Sequence, residues 1–301
     1  MNNILIIAGK EIREGMRNRW VLATTLLLAM LALTLTFLGS APTGNVGASR
    51  MDVVIVSLSS LTIFLVPLIA LLISHDAIVG EVERGTMLLL LAYPVGRSQI
   101  VLGKFLGHIA ILCFATTCGY GTAALALALM GGATDLEGWL SFISMTASSV
   151  LLGAVFVAIG YLVSALSSER STAGGVTIGI WLFFVLIYDM ALLGGLVAAQ
   201  GRSLPGGLLD FLLLANPTDA YRLLNLGSGG AAALSALARL PQHSLPPRGV
   251  LLAALCACTV PPLGLASPLF STRALSKRSA LPLFSWLPRF LPPATRPRRR
   301  Q

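Results

Sequence analysis

Apolar residues dominate the chain in six runs of about 20 residues, separated by segments that carry most of the charge. Twenty helical residues cross the roughly 30 Å hydrocarbon core of a bilayer. The pattern therefore predicts an all-α polytopic membrane protein with six transmembrane helices in a domain over residues 20–271. A cleaved signal peptide is disfavoured, because the first apolar run is longer than the core of such a peptide. The six runs occupy residues 20–39, 53–74, 105–130, 142–166, 174–199 and 250–270.

Residues 1–19 precede the first run and predict an amphipathic helix. Apolar residues recur there at a spacing of four, and the charged side chains lie away from that stripe. A helix of this kind with a tryptophan at its end is expected to lie along the membrane surface as an interfacial helix. A solvated helix is the alternative. The stripe consists of Ile4, Ala8, Ile12, Met16 and Trp20.

The positions of lysine and arginine predict the orientation of the spans. Sixteen of these residues flank the spans on the side of the two termini, and five lie on the other side. Basic residues are retained preferentially in the cytoplasm. Both termini, the loop 75–104 between spans 2 and 3, and residues 167–171 are therefore expected in the cytoplasm, and the loop 200–249 in the periplasm.

Composition and charge limit the class of protein and the kinds of molecule that it binds. The chain of 301 residues is 55% hydrophobic and 11% charged, whereas soluble domains carry roughly 25% charged residues. Its net charge of +9 collects near the ends of the spans and in the tail, which favours anionic lipid over nucleic acid. Residues 272–301, rich in proline, serine and arginine, predict a disordered basic tail.

Residues that could ligate a metal do not converge. The cysteines lie in apolar runs as two pairs, five and two residues apart, and neither pair shares a helix face. The three histidines are far apart in sequence, and the eight methionines form no M-x-x-M cluster. We therefore predict neither a metal site nor a disulfide framework. The cysteines are Cys113, Cys118, Cys256 and Cys258.

The loop 75–104 carries an ordered series of charges and helix signals. Glu81 and Arg84 are three residues apart and share a helix face. Gly85 permits a sharp turn, and Thr86 is expected to cap a short helix that begins at Met87. Glu83 precedes the turn, and Pro94 is expected to end or kink the short helix. Beyond Arg97, Ser98 is expected to cap the next helix, which runs on through Lys104 into span 3.

This order predicts a short charged helix that projects into the cytoplasm between two rigid spans. A solvated loop that only anchors the span ends is the alternative. Between spans 4 and 5, Glu169 and Arg170 predict a second cytoplasmic contact, with a plain hairpin as the alternative.

The segment 204–226 is apolar but interrupted. Asn216-Pro217 predicts a turn between two short helices that dip into the outer leaflet, with Thr218 or Asp219 as the cap of the second helix. The turn either closes the bundle or forms a docking surface for a periplasmic partner. The candidate contacts for that partner are Asn216, Pro217, Asp219, Tyr221 and Arg222.

Asp189 is a carboxylate within the fifth apolar run. Ionisable residues at such positions are functional candidates. It lies near the outer end of the span, where Arg222 or a water-filled cavity would satisfy its charge. A structural polar contact and a role in a conformational switch are both consistent with this position.

The loop between spans 2 and 3 resembles the cytoplasmic loop of ABC-2 type ABC transporter permeases. The resemblance is carried by the pattern Glu81-x-Glu83-Arg84-Gly85-Thr86 followed by Leu90, Pro94, Arg97 and Gly103-Lys104. In that family the short helix couples the permease to its nucleotide-binding subunit. The implied coupling residues are Glu81, Glu83, Arg84, Gly85, Thr86, Pro94, Arg97, Glu169 and Arg170.

Further segments resemble the NosY branch of this family over about residues 1–230, and span 6 more loosely. They are AGKEIREGMRNRW, FLGSAPTG, YDMALLG and LANPTDAYRLLNL. The resemblance implies a homodimer in the bacterial inner membrane, a cytoplasmic NosF-like ATPase and a periplasmic NosD-like protein. It also implies a role in maturing the copper–sulfur centre of nitrous oxide reductase.

The energy source must lie in another chain, because the sequence contains no G-x-x-x-x-G-K-[ST] motif for phosphate binding. The resemblance implies that the ATPase subunit binds ATP and Mg²⁺ and that this chain holds no cofactor. Rival interpretations are an ABC-2 exporter of a drug, lipid or polysaccharide, an intramembrane enzyme, and a passive channel or anchor. The enzyme is disfavoured because the spans lack paired carboxylates, Ser/His pairs and an H-E-x-x-H motif.

Overall fold

The computed structural model describes residues 2–39, 50–130, 136–198, 206–226 and 246–279. Helices connected by short turns make up these ranges, which contain no strand. The helices are α1 (Asn2–Met16), α2 (Arg19–Gly39), α3 (Arg50–Ser74), α4 (Val79–Glu83), α5 (Thr86–Ala92), α6 (Arg97–Leu129), α7 (Leu136–Leu166), α8 (Arg170–Leu182), a π-helical turn (Phe183–Ile187), α9 (Tyr188–Ala198), α10 (Gly206–Ala215), α11 (Pro217–Leu226) and α12 (Arg248–Ser279).

Six helical stretches in the described ranges are long and apolar enough to cross a membrane, which confirms the six predicted spans. The third span begins at Arg97, eight residues before the apolar run, so the predicted continuation of a helix through Lys104 into span 3 is confirmed. The stretches are Val21–Leu38, Met51–Glu83, Arg97–Leu129, Leu136–Leu166, Arg170–Leu192 and Arg248–Leu269.

Helices α3, α6 and α7 form the centre of the bundle. More than half of each central span is buried, whereas only 11% of the Arg170–Leu192 span is buried. Small residues permit close approach of the central helices, as membrane helices require. A β-carbon at Gly153 would collide with Leu112 of α6, and one at Gly160 would collide with Ser74 of α3.

Helix α1 packs against α6. The residues of α1 that are buried include Ile7, Ala8 and Glu11. Met16, the fourth residue of the apolar stripe, is exposed, and the position of α1 along the membrane surface stays a prediction. Leu5 and Ile6 are also exposed and are available to a membrane surface.

Two predicted segments extend beyond the described residues. Helix α12 continues through Pro261, Pro262 and Pro268 to Ser279 and so includes the first residues of the segment predicted as a tail, whose disorder stays a prediction. Residues 280–301 of the predicted tail lie outside the described residues. The loop 200–249 is described at α10, α11 and 246–249, and the two short helices confirm the predicted break at Asn216-Pro217.

Candidate functional site

The five-residue helix α4 is attached at its start to the central helix α7. The Ser164 hydroxyl oxygen accepts hydrogen bonds from the backbone N–H groups of Ile78 and Val79, both at 3.0 Å. These N–H groups have no partner within a helix, so a side-chain acceptor satisfies them. The start of α4 is therefore held by a residue 85 positions further along the chain.

The middle of α4 is attached to α6 and α1 by buried charges. Lys104 Nζ lies 2.7 Å from Glu81 Oε1 and 2.7 Å from Glu11 Oε1, and the Lys104 side chain is 3% exposed. A buried lysine is stable as a charged group only when it is paired in this way. We call Lys104, Glu11 and Glu81 the Lys104 cluster.

Electrostatics in the Lys104 cluster favour the charged forms. Burial alone would raise the pKa of Glu11, but the charge of Lys104 and its hydrogen bond lower that pKa below the ordinary value. Lys10 lies at the rim, 3.8 Å from Glu81 Oε1 and 3.3 Å from Glu14 Oε2. Burial lowers the pKa of Lys10, yet the neighbouring carboxylates outweigh burial and raise it.

The end of α4 joins the second predicted contact. Glu83 Oε1 accepts a hydrogen bond from the backbone N–H of Arg170 at 2.9 Å, at the first turn of α8. Arg170 Nη2 also forms an ion pair with Asp76 Oδ2 at 2.8 Å. The two segments predicted to contact the ATPase therefore form one continuous surface.

A tight turn separates α4 from α5. Gly85 adopts a φ of 74°, in the left-handed region, and occupies the N-cap position of α5. The predicted cap Thr86 is instead the first residue of α5, and its hydroxyl donates to the carbonyl of Glu81 at 3.3 Å. Similarly, Gly96 and not Ser98 caps α6, with its N–H bonded to the Gln99 side chain.

We define the coupling segment as residues 79–93, comprising α4 and α5. At its far end the side chains of Leu89 and Tyr93 are 68% and 69% exposed. Glu81 differs from the other predicted coupling residues, because its side chain is buried in the Lys104 cluster and presents no exposed charge. Arg97 is half-buried, and the exposed members are Glu83, Arg84, Gly85, Thr86, Pro94, Glu169 and Arg170.

We call α10 and α11 the half-helix pair. A second cluster of polar side chains joins this pair to span 5. Asn216 Oδ1 accepts the backbone N–H of Thr218 at 3.1 Å, so Asn216 caps α11, and neither Thr218 nor Asp219 does. The Asn216 amide and the Thr218 hydroxyl both donate to the carbonyl of Phe184. Phe184 lies in the π-helical turn, which disturbs the regular hydrogen-bond pattern of span 5.

Arg222 connects two carboxylates in this cluster. Its guanidinium lies 2.6 Å from Asp189 Oδ2 and 2.8 Å from Asp219 Oδ1. The predicted partner of Asp189 is thus confirmed. Burial, and next the negative charge of Asp189, raise the pKa of Asp219 to about 7 despite the pairing with Arg222.

Burial corrects the expectation that this segment offers a polar surface. Asn216, Asp219 and Tyr221 are almost fully buried, and the Tyr221 hydroxyl is hydrogen-bonded to Ser149 of α7 at 2.9 Å. Arg222 is the partly exposed member of the predicted contacts, at 29%. Pro217 is buried as well, so contact with a periplasmic partner stays a prediction for Arg222.

Sequence reasoning missed several residues that shape the site. Glu11, Asp76, Ser149 and Ser164 attracted no interpretation, and Lys104 was read as a residue of the loop. Their partners lie 23 to 94 positions away, so no local spacing signals the contacts. The burial of Lys104 between Glu11 and Glu81 was the feature hardest to predict from the sequence, because a lysine at the end of a span is ordinarily solvated.

Metal-binding chemistry has no structural support in the described ranges. They contain no group of three or more His, Cys, Asp or Glu side chains arranged to hold a metal ion. The Nδ1 atom of His108 is instead hydrogen-bonded to the Tyr161 hydroxyl at 2.6 Å. The four cysteines are unpaired thiols.

In the part of the chain that the structure describes, six spans, the short helices α4 and α5, and the broken pair α10 and α11 define a multi-pass membrane protein. A model of the ABC-2 family transporter proteins matches residues 5–275. The chain belongs to the ABC-2 family of transporters. The match includes span 6, which the resemblance noted from the sequence covered only loosely.

Two relatives are similar over most of the chain. One, from Pseudomonas aeruginosa, is described as a probable ABC transporter permease protein NosY, and is 47% identical over 89% of this chain and 98% of its own length. The other, from Stutzerimonas stutzeri, has the same description and is 49% identical over 79% of this chain and 87% of its own length.

These similarities make the chain a permease subunit, which is a membrane component and not an enzyme. A permease of an ABC transporter works with an ATPase, so an ATPase partner follows from the family. The rival interpretation as an intramembrane enzyme is thereby excluded.

Proposed function

We propose that this chain is the membrane subunit of an ATP-driven system that matures nitrous oxide reductase by supporting assembly of its copper–sulfur centre. In this proposal a homodimer of the chain spans the bacterial inner membrane with both termini in the cytoplasm. A NosF-like ATPase, which binds ATP and Mg²⁺, docks on the coupling segment, and a NosD-like protein binds on the periplasmic side. The similarity to two probable NosY permeases supports this assignment.

One observation carries the coupling part of the proposal: α7 is hydrogen-bonded to the coupling segment near one end and to the half-helix pair further along. Ser164 binds the start of α4, whereas Ser149 binds Tyr221 of α11. Fifteen helical residues separate the two serines, a distance of about 22 Å. A displacement of α4 would therefore reach α11 through one rigid helix.

The proposed cycle follows from this connection. Closure of the ATPase on nucleotide displaces the coupling segment, and α7 transmits the displacement to the half-helix pair. Ser148, whose hydroxyl accepts a hydrogen bond from Asn225 at 3.0 Å, gives α11 a second attachment to α7. The periplasmic partner then senses a change in the position of the half-helix pair.

The experiment reconstitutes the permease with its ATPase and measures ATP hydrolysis with and without the periplasmic partner, alongside formation of the copper–sulfur centre in cells. We expect Ser149→Ala and Ser164→Ala to keep the complex assembled but to reduce both partner-stimulated hydrolysis and centre formation. Thr146→Val is the matched control on α7, because Thr146 bonds to the Phe142 carbonyl of its own helix. Full centre formation in a strain that lacks the permease would contradict the proposal.

A further inference from the structure

The N-terminal helix α1 is joined to α4 mainly through one buried side chain, Lys104 of α6. Glu11 of α1 and Glu81 of α4 each place one carboxylate oxygen 2.7 Å from Lys104 Nζ. The second oxygen of Glu81 is buried and has no hydrogen-bond partner. The attachment of Glu81 to α1 therefore runs mainly through the ammonium group of Lys104. Lys10 of α1 adds a weaker contact at the rim, with its Nζ 3.8 Å from Glu81 Oε1.

Helix α1 is already fixed to α6 by close packing. A β-carbon at Gly103 would lie 2.8 Å from the β-carbon of Ile7, and one at Gly107 would lie 2.5 Å from that of Glu11. Such spacing leaves no room for independent sliding of α1 on α6. The Lys104 cluster adds α4 to this unit, so three helices meet around one buried charge.

Removal of the ammonium group would reverse the sign of the interaction. With Lys104 present, each carboxylate is attracted to a cation in a poorly hydrated site. Without it, Glu11 and Glu81 would face each other as like charges, with only the exposed ammonium group of Lys10, 3.7 Å and 3.8 Å away, to offset their repulsion. The attachment of α4 to α1 would therefore be strongly weakened. The connection between the two helices therefore depends mainly on Lys104, in a way that packing alone would not replace.

We infer that Lys104 is a positioning residue that makes α1 move together with the coupling segment, so that the N-terminal helix is a moving part of the transmission. Its exposed face, with Leu5 and Ile6, would carry that movement along the membrane surface. This inference rests on the proposed function for its purpose. The mechanical link between α1 and α4 exists without nucleotide and is tested without it.

The test measures the distance between spin labels on α1 and α5 in the full-length chain in lipid nanodiscs. Labels replace Gly9, where a β-carbon meets open space, and the exposed Leu89, in a variant whose native cysteines are alanine. Labelled chain is diluted with unlabelled chain so that only distances within one chain are recorded. We expect one narrow distribution in the parent and a broader, longer one in Lys104→Met.

Two further variants separate the link from a general loss of folding. Arg13→Met removes an exposed cation from α1 and is expected to keep the narrow distribution. The triple variant Glu11→Gln, Glu81→Gln, Lys104→Met removes the repulsion, and we expect it to recover thermal stability while the distribution stays broad. A narrow distribution in Lys104→Met would overturn the inference, as would a narrow one in the triple variant.

The functional consequence is then measured as ATP hydrolysis by the reconstituted complex. Lys104→Met is expected to reduce partner-stimulated ATP hydrolysis by about fivefold to tenfold, a typical size for loss of coupling, while Arg13→Met is expected to leave it unchanged. Unchanged stimulation in Lys104→Met would overturn the inference and leave the proposed function standing. Absence of stimulation in the parent would instead refute the proposed function, because the spin-label result decides the link on its own.

Discussion

The carboxylate of Glu83 accepts a hydrogen bond from the backbone N–H of Arg170 at 2.9 Å, across 87 positions of sequence. This contact joins the end of α4 to the beginning of α8, the span with the least buried surface. The coupling segment is thereby attached to span 5 as well as to α6 and α7. A push on the coupling segment would be shared among these helices.

Glu83→Ala should weaken this attachment, because the first turn of α8 loses an acceptor for its N–H group. The loss of such a cap typically costs about 1 kcal/mol in the free energy of unfolding. Glu83→Gln retains an oxygen acceptor and is expected to lie close to wild type. Thermal unfolding in nanodiscs and partner-stimulated ATP hydrolysis measure both effects, and equal behaviour of the two variants would contradict the role of this contact.

Gly85→Ala should strain the turn between α4 and α5. A side chain at a φ of 74° costs roughly 1–2 kcal/mol, because the β-carbon approaches the following carbonyl oxygen. We expect a lower unfolding temperature and reduced ATPase stimulation. The control Gly121→Ala lies in open space within α6 and should be neutral or slightly stabilising. Equal losses in both variants would show that the turn has no special role.

The spans were predictable from sequence because hydropathy over 20 residues depends on composition and not on the partners of each residue. The break at Asn216-Pro217 was predictable for a similar local reason, because its signal is contained in a short stretch of chain. The cost of an unpaired charge in an apolar run indicated that Asp189 needs a polar environment, and Arg222 was one of the two candidates for it, beside a water-filled cavity.

The interior of the candidate site was not predictable in this way. Whether Glu81 faces solvent or Lys104 depends on where α1 packs, and that depends on Gly103 and Gly107 admitting it to the surface of α6. The exposed and buried faces of a short charged helix have nearly the same composition. Tyr221 was misjudged for the same reason, since its burial depends on Ser149 of a distant helix.

Gly160→Ala should loosen the contact between α3 and α7. A β-carbon there would collide with the hydroxyl oxygen of Ser74, which itself is bonded to the Ala70 carbonyl. Overpacking of this kind costs about 1–3 kcal/mol. We expect a lower unfolding temperature than for Gly175→Ala, where a β-carbon meets open space in α8. A wild-type melting curve for Gly160→Ala would contradict the close approach of these helices.

Asp219 should make the stability of the half-helix pair depend on pH. Its folded-state pKa is raised to about 7, so the protonated form favours the folded state. This contribution is fully present below about pH 4, the pKa of aspartate in an unfolded chain, and is lost as the pH rises through about 7. Asp219 faces Asn216, Asp189 and Arg222, and the charges of the last two set the balance.

Melting temperatures in nanodiscs between pH 4 and pH 8 would reveal this dependence, relative to a variant that cannot titrate. Asp219→Asn is expected to flatten the decline and to be more stable than wild type above pH 7. Asp52→Asn serves as the control, because it makes the same substitution at an aspartate in the first turn of α3, outside this cluster. Parallel pH profiles for wild type and Asp219→Asn would show that Asp219 does not titrate in this range.

The proposed function depends most on docking of the ATPase at the coupling segment. A photo-cross-linking amino acid at Leu89, introduced in cells, tests this directly, with Leu136 at the start of α7 as an exposed control expected on the opposite side of the membrane. We predict a covalent adduct between position 89 and the cytoplasmic ATPase, and none from position 136. An adduct of position 89 with a periplasmic protein, or of position 136 with the ATPase, would contradict the proposed orientation and the proposed docking site.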